Sequence, residues 1–224
     1  MSTFRFAIMG AGNIAHQFCD AVTLVEDCEV SAIASKDLGR AQKFAEECSV
    51  AHAYDNYEQM LIEEKPDCVY IAVTPNDHFR LTMLCLEHHV PVLCEKAMFT
   101  NSAEAKAVFE KAEKDQTFVM EAMWSRFLPA VNQAKKWAAE GKIGRLEALQ
   151  GRIGFLAPEG ADNRYHSPLL CGGAATDITV YAYEIATWLV NEPVRKTYAA
   201  ANLDQTGVDL TDQVTVKFEH VLAD

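Results

Sequence analysis

The residue types best suited to chemistry fall at a few places along this chain, and the first is a pair of glycines. Gly10 and Gly12 stand in Met9-Gly10-Ala11-Gly12-Asn13-Ile14-Ala15, between the apolar run Phe4-Arg5-Phe6-Ala7-Ile8-Met9 and a helix-like stretch at 14–25. A short strand, a glycine turn and a helix start let backbone N–H groups point at a pyrophosphate. Gly10 permits the tight turn, Gly12 the close approach of backbone to phosphate, and Ala15 tight packing of helix on strand. Gly10, Gly12, Asn13 and Ile14 are therefore the candidate contacts to a dinucleotide. A plain strand-to-helix turn is the bland alternative.

The adenosine end of such a site is read where the second strand closes. Chains that take NAD usually carry Asp or Glu there, and those that take NADP carry a cation near the 2′-phosphate. Here Val30-Ser31-Ala32-Ile33-Ala34 runs into Ser35-Lys36-Asp37, with no acid at the strand end. Ser35 offers a hydroxyl, Lys36 an ammonium and Arg40, one turn later, a guanidinium. That set favours NADP and leaves NAD possible. The competing reading makes Lys36 a solvated loop lysine and Asp37 a helix cap.

Two more strand ends carry polar groups. Thr74-Pro75-Asn76-Asp77-His78 follows the run at 69–73, and Glu95-Lys96 follows 91–94. Polar groups at the carboxyl ends of parallel strands face the ligand crevice, so Thr74, Pro75, Asn76, His78, Glu95 and Lys96 join the candidate cofactor contacts. By position alone the first cluster reads equally well as a helix cap, Asn76 or Asp77, with His78 on the surface. Lys96 could stabilise an alkoxide or move a proton, although a lone lysine there also reads as a surface charge. Asp177 and Tyr181 lie four apart on an expected helix and so share a face. They follow Gly172-Gly173, whose backbone could approach a ligand closely. Taken singly, each reads as helix electrostatics or core packing.

The elements that must position these residues change character along the chain. Up to about residue 122, strands at 4–9, 29–34, 68–73, 91–94 and 117–121, and a weaker one near 51–54, alternate with helices near 13–26, 38–48, 56–64, 76–89 and 102–115. Such alternation predicts an α/β fold: a Rossmann-type doubly wound parallel sheet covered on both faces. After Trp124 the expected order is a helix at 128–140, a long strand at 146–155 and a Gly/Pro/Asp-rich loop at 157–173. A helix at 174–190 and strands near 195–202 and 212–219 follow. The predicted organisation is a dinucleotide-binding domain, 1–122, and an α+β substrate and dimerisation domain, 123–224. About three strands make a marginal sheet whose last strand would be a bare edge, so the second domain is expected to be incomplete.

Composition narrows the class further. A net charge of −12 argues against a nucleic-acid surface. The seven cysteines form no Cys-x-x-Cys pair and no zinc spacing, so no metal site is expected. Cys68, Cys85 and Cys94 sit among apolar residues and read as small core groups. With no membrane-length apolar stretch and no leader-like start, the expectation is a cytoplasmic protein without a membrane partner.

Taken in order, Gly10 to Ala15, Thr74 to His78, Cys94-Glu95-Lys96, and Gly172-Gly173-Ala174 with Asp177 and Tyr181 resemble the glucose–fructose oxidoreductase and inositol dehydrogenase family. The stretch Met120-Glu121-Ala122-Met123-Trp124-Ser125-Arg126-Phe127-Leu128-Pro129 is similar to the subgroup of dimeric dihydrodiol dehydrogenases and NADP-dependent xylose dehydrogenases. The resemblance runs the whole length, and the spacing of the set is more specific than any member. It implies hydride transfer between a nicotinamide and a CH–OH carbon of a sugar or vicinal diol. Lys96 would hold and polarise the reacting oxygen, Tyr181 would exchange its proton beside that ammonium, and Asp177 would orient substrate or lysine. Trp124 and Phe155 would line the substrate, with Trp124 and Arg126 towards the nicotinamide. A homodimer through the open sheet follows if the second domain is complete.

Three departures stand out. Ala97 follows the Glu-Lys pair where the family commonly has proline, which would fix the loop carrying the lysine. Cys171 replaces the first of three glycines often seen before the last helix, and many relatives carry histidine where Tyr181 stands. Family members are also longer. A non-catalytic nucleotide-binding regulatory protein of the same fold is the reading from another class. An incomplete second domain favours it, while Lys96, Asp177 and Tyr181 oppose it.

Overall fold

A computed structural model describes residues 3–158, 160 and 163–224. Positions 159, 161 and 162 of the expected loop lie outside the described residues. The chain packs as two units, Met1–Ala122 and Met123–Asp224.

The first unit alternates strand and helix: β1 (Phe4–Met9), α1 (Asn13–Val22), β2 (Cys28–Ala34), α2 (Leu38–Cys48), β3 (His52–Tyr54) and α3 (Tyr57–Glu64). It continues with β4 (Cys68–Ile71), α4 (His78–Glu87), β5 (Val92–Cys94), α5 (Ser102–Asp115) and β6 (Val119–Glu121). The sheet order is β3-β2-β1-β4-β5-β6 and every pairing is parallel. Successive residues of a strand face opposite sides. Ala7 and Met9 accordingly pack with Ala32, Ala34, Val69 and Ile71 on one face, while Ile8 packs with Ile33, Phe44 and Tyr70 on the other. Both faces are apolar, as a sheet buried between two helical layers requires. The strand order reverses beside β1, between β2 and β4, and this switch point opens a crevice at the strands' carboxyl ends. The buried thiols behave as core groups, and burial pushes Cys68 up to about 12.

The second unit starts with a 3₁₀ turn, Trp124–Phe127, and α6 (Pro129–Ala139), which opens on proline where no N–H is needed. After β7 (Ala148–Leu149) come short 3₁₀ turns at Arg164–His166 and Pro168–Leu170, and a π turn, Ala175–Thr179, leads into α7 (Val180–Val190). Then β8 (Lys196–Leu203), β9 (Asp209–Lys217) and β10 (Leu222–Ala223) complete a sheet in the order β7-β10-β9-β8. Ala186 and Val190 of α7 pack on Val214, Val216 and Phe218 of the β9 region.

Two expectations are corrected here. The long strand expected at 146–155 is observed only at Ala148–Leu149, where it pairs with β10. The last expected strand is not an edge either: β9 lies between β10 and β8, and the exposed edge is β8, solvent-facing along its whole length.

Candidate functional site

The turn after β1 shows why its two glycines differ. Gly10 has φ +110°, and a Cβ there would fall 2.6 Å from the Ala72 carbonyl oxygen, so the approach of the chain after β4 excludes any side chain. Gly12 has an ordinary φ of −102°. A Cβ on it would meet only Ala72 O, at 4.0 Å. Nothing in the protein demands glycine there, and the space it leaves opens on the start of α1. Ala15 is fully buried, as tight helix–strand packing needs.

The start of α1 has no side-chain cap, and neither has that of α4. Asp37, Asn56 and Asn101 cap α2, α3 and α5 through side-chain oxygens, whereas Gly12 brings α1 no side-chain cap. The N–H groups of its first turn, around Asn13 and Ile14, are left for an external acceptor. A positive helix end without its own acceptor, behind a glycine with room beside it, fits a pyrophosphate. The residues present therefore suit a dinucleotide.

At the end of β2 the expected groups divide. Ser35 is buried, and its Oγ accepts from the Asp37 N–H at 3.4 Å, so the hydroxyl serves the local turn instead of facing the crevice. Asp37 is the helix cap, accepting from the Arg40 N–H at 2.9 Å. The Arg40 guanidinium reaches back to the Ala11 carbonyl at 3.3 Å, which places it over the glycine turn. Lys36 is exposed, with its ammonium 2.7 Å from Asp77.

Beyond β4, Pro75 is buried and Thr74 Oγ1 donates to Asn76 Oδ1 at 2.7 Å. His78 is neither on the surface nor turned towards a ligand. It is fully buried, with Nδ1 3.0 Å from the Ala97 carbonyl and 3.2 Å from that of Met98, and Nε2 3.0 Å from that of Val73. Burial opposes a charge on the ring, while the carbonyls at both nitrogens favour a proton on each. With both nitrogens on backbone carbonyls, His78 ties the loop after β4 to the loop after β5, and the expectation of direct cofactor contact is corrected to a supporting role.

Glu95 is buried beneath the lysine loop. The Tyr70 hydroxyl donates to its Oε1 at 2.5 Å, and the Lys96 N–H to its Oε2 at 3.2 Å. Burial raises its carboxyl above the usual value. The Met98 N–H donates to Glu121 Oε1 at 2.9 Å, so the segment from 95 to 98 is held by two acids. The Lys96–Ala97 peptide is cis.

In the second unit, Trp124 Nε1 donates to the Tyr181 hydroxyl at 3.0 Å, with the rings edge to face. Arg126 pairs with Glu184, which also accepts from Ser125 Oγ at 3.1 Å. Asp177 lies in the π turn and accepts from Arg164 at 3.1 Å. Phe155 meets Tyr165 edge to face. A cleft of about 230 Å³ is bounded by Phe155, Tyr165, Gly173, Asp177, Ile178 and Asp209. Gly172 is not available to a ligand, since a Cβ would lie 2.5 Å from the Arg164 carbonyl. Cys171 has φ +55°, a left-handed position that suits the glycine it replaces.

Sequence reasoning passed over two residues. Arg80 grips Asp77, and the Asp-x-x-Arg spacing on one helix face was the available signal. Glu184, almost fully buried, could have been found as the one acid within the otherwise uncharged helix Val180–Val190, because a buried carboxylate needs a partner.

A glycine turn at the switch point of a doubly wound parallel sheet defines a Rossmann dinucleotide-binding chain. The model of an oxidoreductase family with an NAD-binding Rossmann fold matches residues 4–123, and that of the GFO/IDH/MocA C-terminal domain matches 131–224. The chain belongs to the GFO/IDH/MocA oxidoreductase family. A trans-1,2-dihydrobenzene-1,2-diol dehydrogenase of Mus musculus is 31% identical over 220 residues, 96% of this chain and 65% of the mouse protein. Its Danio rerio counterpart is 31% identical over 225 residues, 98% of this chain and 66% of that protein. A 3-ketoreductase from Actinomadura kijaniata, solved with TDP-benzene and NADP, superposes with a TM-score of 0.90 at 22% identity, covering 99% of this chain and 69% of its own. The chain thus spans just under two thirds of the length of the dehydrogenases it matches. Among the described residues no helix is long and apolar enough to cross a membrane, and no cluster of His, Cys, Asp and Glu could hold a metal ion.

Proposed function

We propose that this chain carries the cofactor half, and at least part of the substrate half, of an NADP-dependent oxidoreductase acting on a CH–OH carbon of a sugar or vicinal diol. The observation that carries the reading is the start of α1: no side-chain cap and open space beside Gly12. The nicotinamide, when bound, supplies the hydride acceptor or donor. The protein's own part is to hold the pyrophosphate on the N–H groups after Gly12 and to set Lys36 and Arg40 at the adenosine end. Lys96 polarises the reacting oxygen through its ammonium. Tyr181 exchanges the proton at its hydroxyl, Trp124 fixing that oxygen through its indole N–H. Asp177 and Phe155 border the cleft that takes the substrate. Among the described residues the cysteines form no disulfide, which suits a reducing cytoplasm. A homodimer through the open sheet belongs to the same reading where the second domain is complete.

Two measurements on the 224-residue chain test this. Titration should show NADPH binding, and a screen of pentoses, hexoses, vicinal diols and dicarbonyls should find turnover. Lys96→Ala should lower turnover about 100-fold or more while NADPH affinity changes far less. Unchanged turnover in that variant would remove Lys96 from the chemistry.

A further inference from the structure

Lys36 does not stand alone at the end of β2. Its Nζ lies 2.7 Å from Asp77 Oδ2, and Asp77 is gripped by Arg80, Nε to Oδ1 at 2.8 Å and Nη2 to Oδ2 at 3.1 Å. Lys36 follows β2 and Asp77 follows β4, the two strands that flank β1. The ion pair therefore joins both sides of the switch point, at the end of the crevice where an adenosine ribose is read. Its partners differ in freedom. The Asp77 side chain is 13% exposed and fixed by the Arg80 fork, whereas that of Lys36 is 70% exposed. A pair this open to water is weak, and a lysine on a four-carbon stem can be drawn to another anion.

We propose that Asp77 is a specificity-determining residue that competes with the 2′-phosphate of an NADP-type dinucleotide for the Lys36 ammonium. In doing so it sets the balance between NADP and NAD. The inference rests on the dinucleotide reading above. A phosphate monoester that recruits Lys36 must either leave Asp77 to Arg80 alone or share one ammonium with a fixed carboxylate. Both options offset part of what the extra phosphate gains. A 2′-hydroxyl makes no such demand, and Lys36 stays where it is. The acid that the end of β2 lacks is thus supplied from across the crevice, and it acts on the cation rather than on the ribose.

The test is to measure Kd for NADPH and for NADH, by calorimetry or nicotinamide fluorescence, on the whole chain and four variants. Asp77→Asn keeps the shape and removes the charge. It should tighten NADPH about fivefold, the scale of one exposed ion pair, and leave NADH unchanged. In a Lys36→Ala background the same substitution should change neither value. Asp77→Ser, also uncharged, covers the case in which the Asn variant does not fold. The inference is overturned if removing the charge leaves the NADPH-to-NADH ratio unchanged or lowers it, or if the gain survives without Lys36. Binding of neither nucleotide by the unaltered chain would instead bring down the dinucleotide reading, and this inference with it.

Discussion

Gly10 and Gly12 answer two different demands with one residue type. At Gly10 the demand comes from within, because the positive φ and the Ala72 carbonyl leave no room for a Cβ. Gly10→Ala should cost about 2–4 kcal/mol through backbone strain and overpacking, read as a lowered urea midpoint. At Gly12 the demand comes from outside, so Gly12→Ala should fold with near-normal stability and bind NADPH much more weakly. Equal losses of stability in the two variants would contradict this division. Glu95 makes a separate prediction. Its folded-state value is raised above the ordinary 4.5 by burial. Its stabilising contribution is therefore full below that ordinary value and is lost as pH rises through the raised one. Glu95→Gln keeps an acceptor for Tyr70 and cannot ionise, so its stability relative to the unaltered chain should climb as pH rises above the ordinary carboxyl value of 4.5. Denaturation midpoints across that rise in pH give the answer, and a pH-independent difference would clear the buried carboxylate. Gly10, Gly12 and Glu95 could be picked out by type and position, but the causes at Gly10 and Glu95 could not, since they lie in residues far off in the chain.

At the scale of elements, the loop that carries Lys96 is held from three directions. His78 bridges it to the loop after β4, Tyr70 supports Glu95, and Glu121 accepts from Met98. His78→Ala should leave buried carbonyls unpaired beside a cavity, at a cost of about 2–4 kcal/mol. Turnover should fall along with it as the Lys96 loop loosens. Urea denaturation and steady-state kinetics together check this, and full activity with reduced stability would separate the His78 tie from the Lys96 loop. The helices and strands of the first unit were legible because short apolar runs, buried on both faces, alternate with longer helical stretches. The strand expected at 146–155 pairs only at Ala148–Leu149, and its apolar pattern runs on past that pairing. The burial of His78 was equally hidden, since nothing in Thr74 to His78 says that the loop after β5 closes over it.

Across the whole molecule, the apolar clusters divide as the chain does. Among the described residues, three belong to residues up to 122 and one to residues from 146 onward. The change of rhythm after Trp124 marks the same passage, because a βα repeat and a hairpin sheet have different periods and turns. What the sequence determined by itself is local or periodic: the βα order, the glycine turn, the caps, and the set of motifs that places the chain in its family. Tertiary structure alone decided the pairing of Lys36 with Asp77, the enclosure of His78 and the partners of Glu184. These contacts join residues from 5 to 59 positions apart. They arise where strands out of sequence order lie side by side or where a helix packs onto a distant turn. No spacing rule reaches that far, because such a neighbour is set by the order of strands in the sheet and not by the order of residues in the chain.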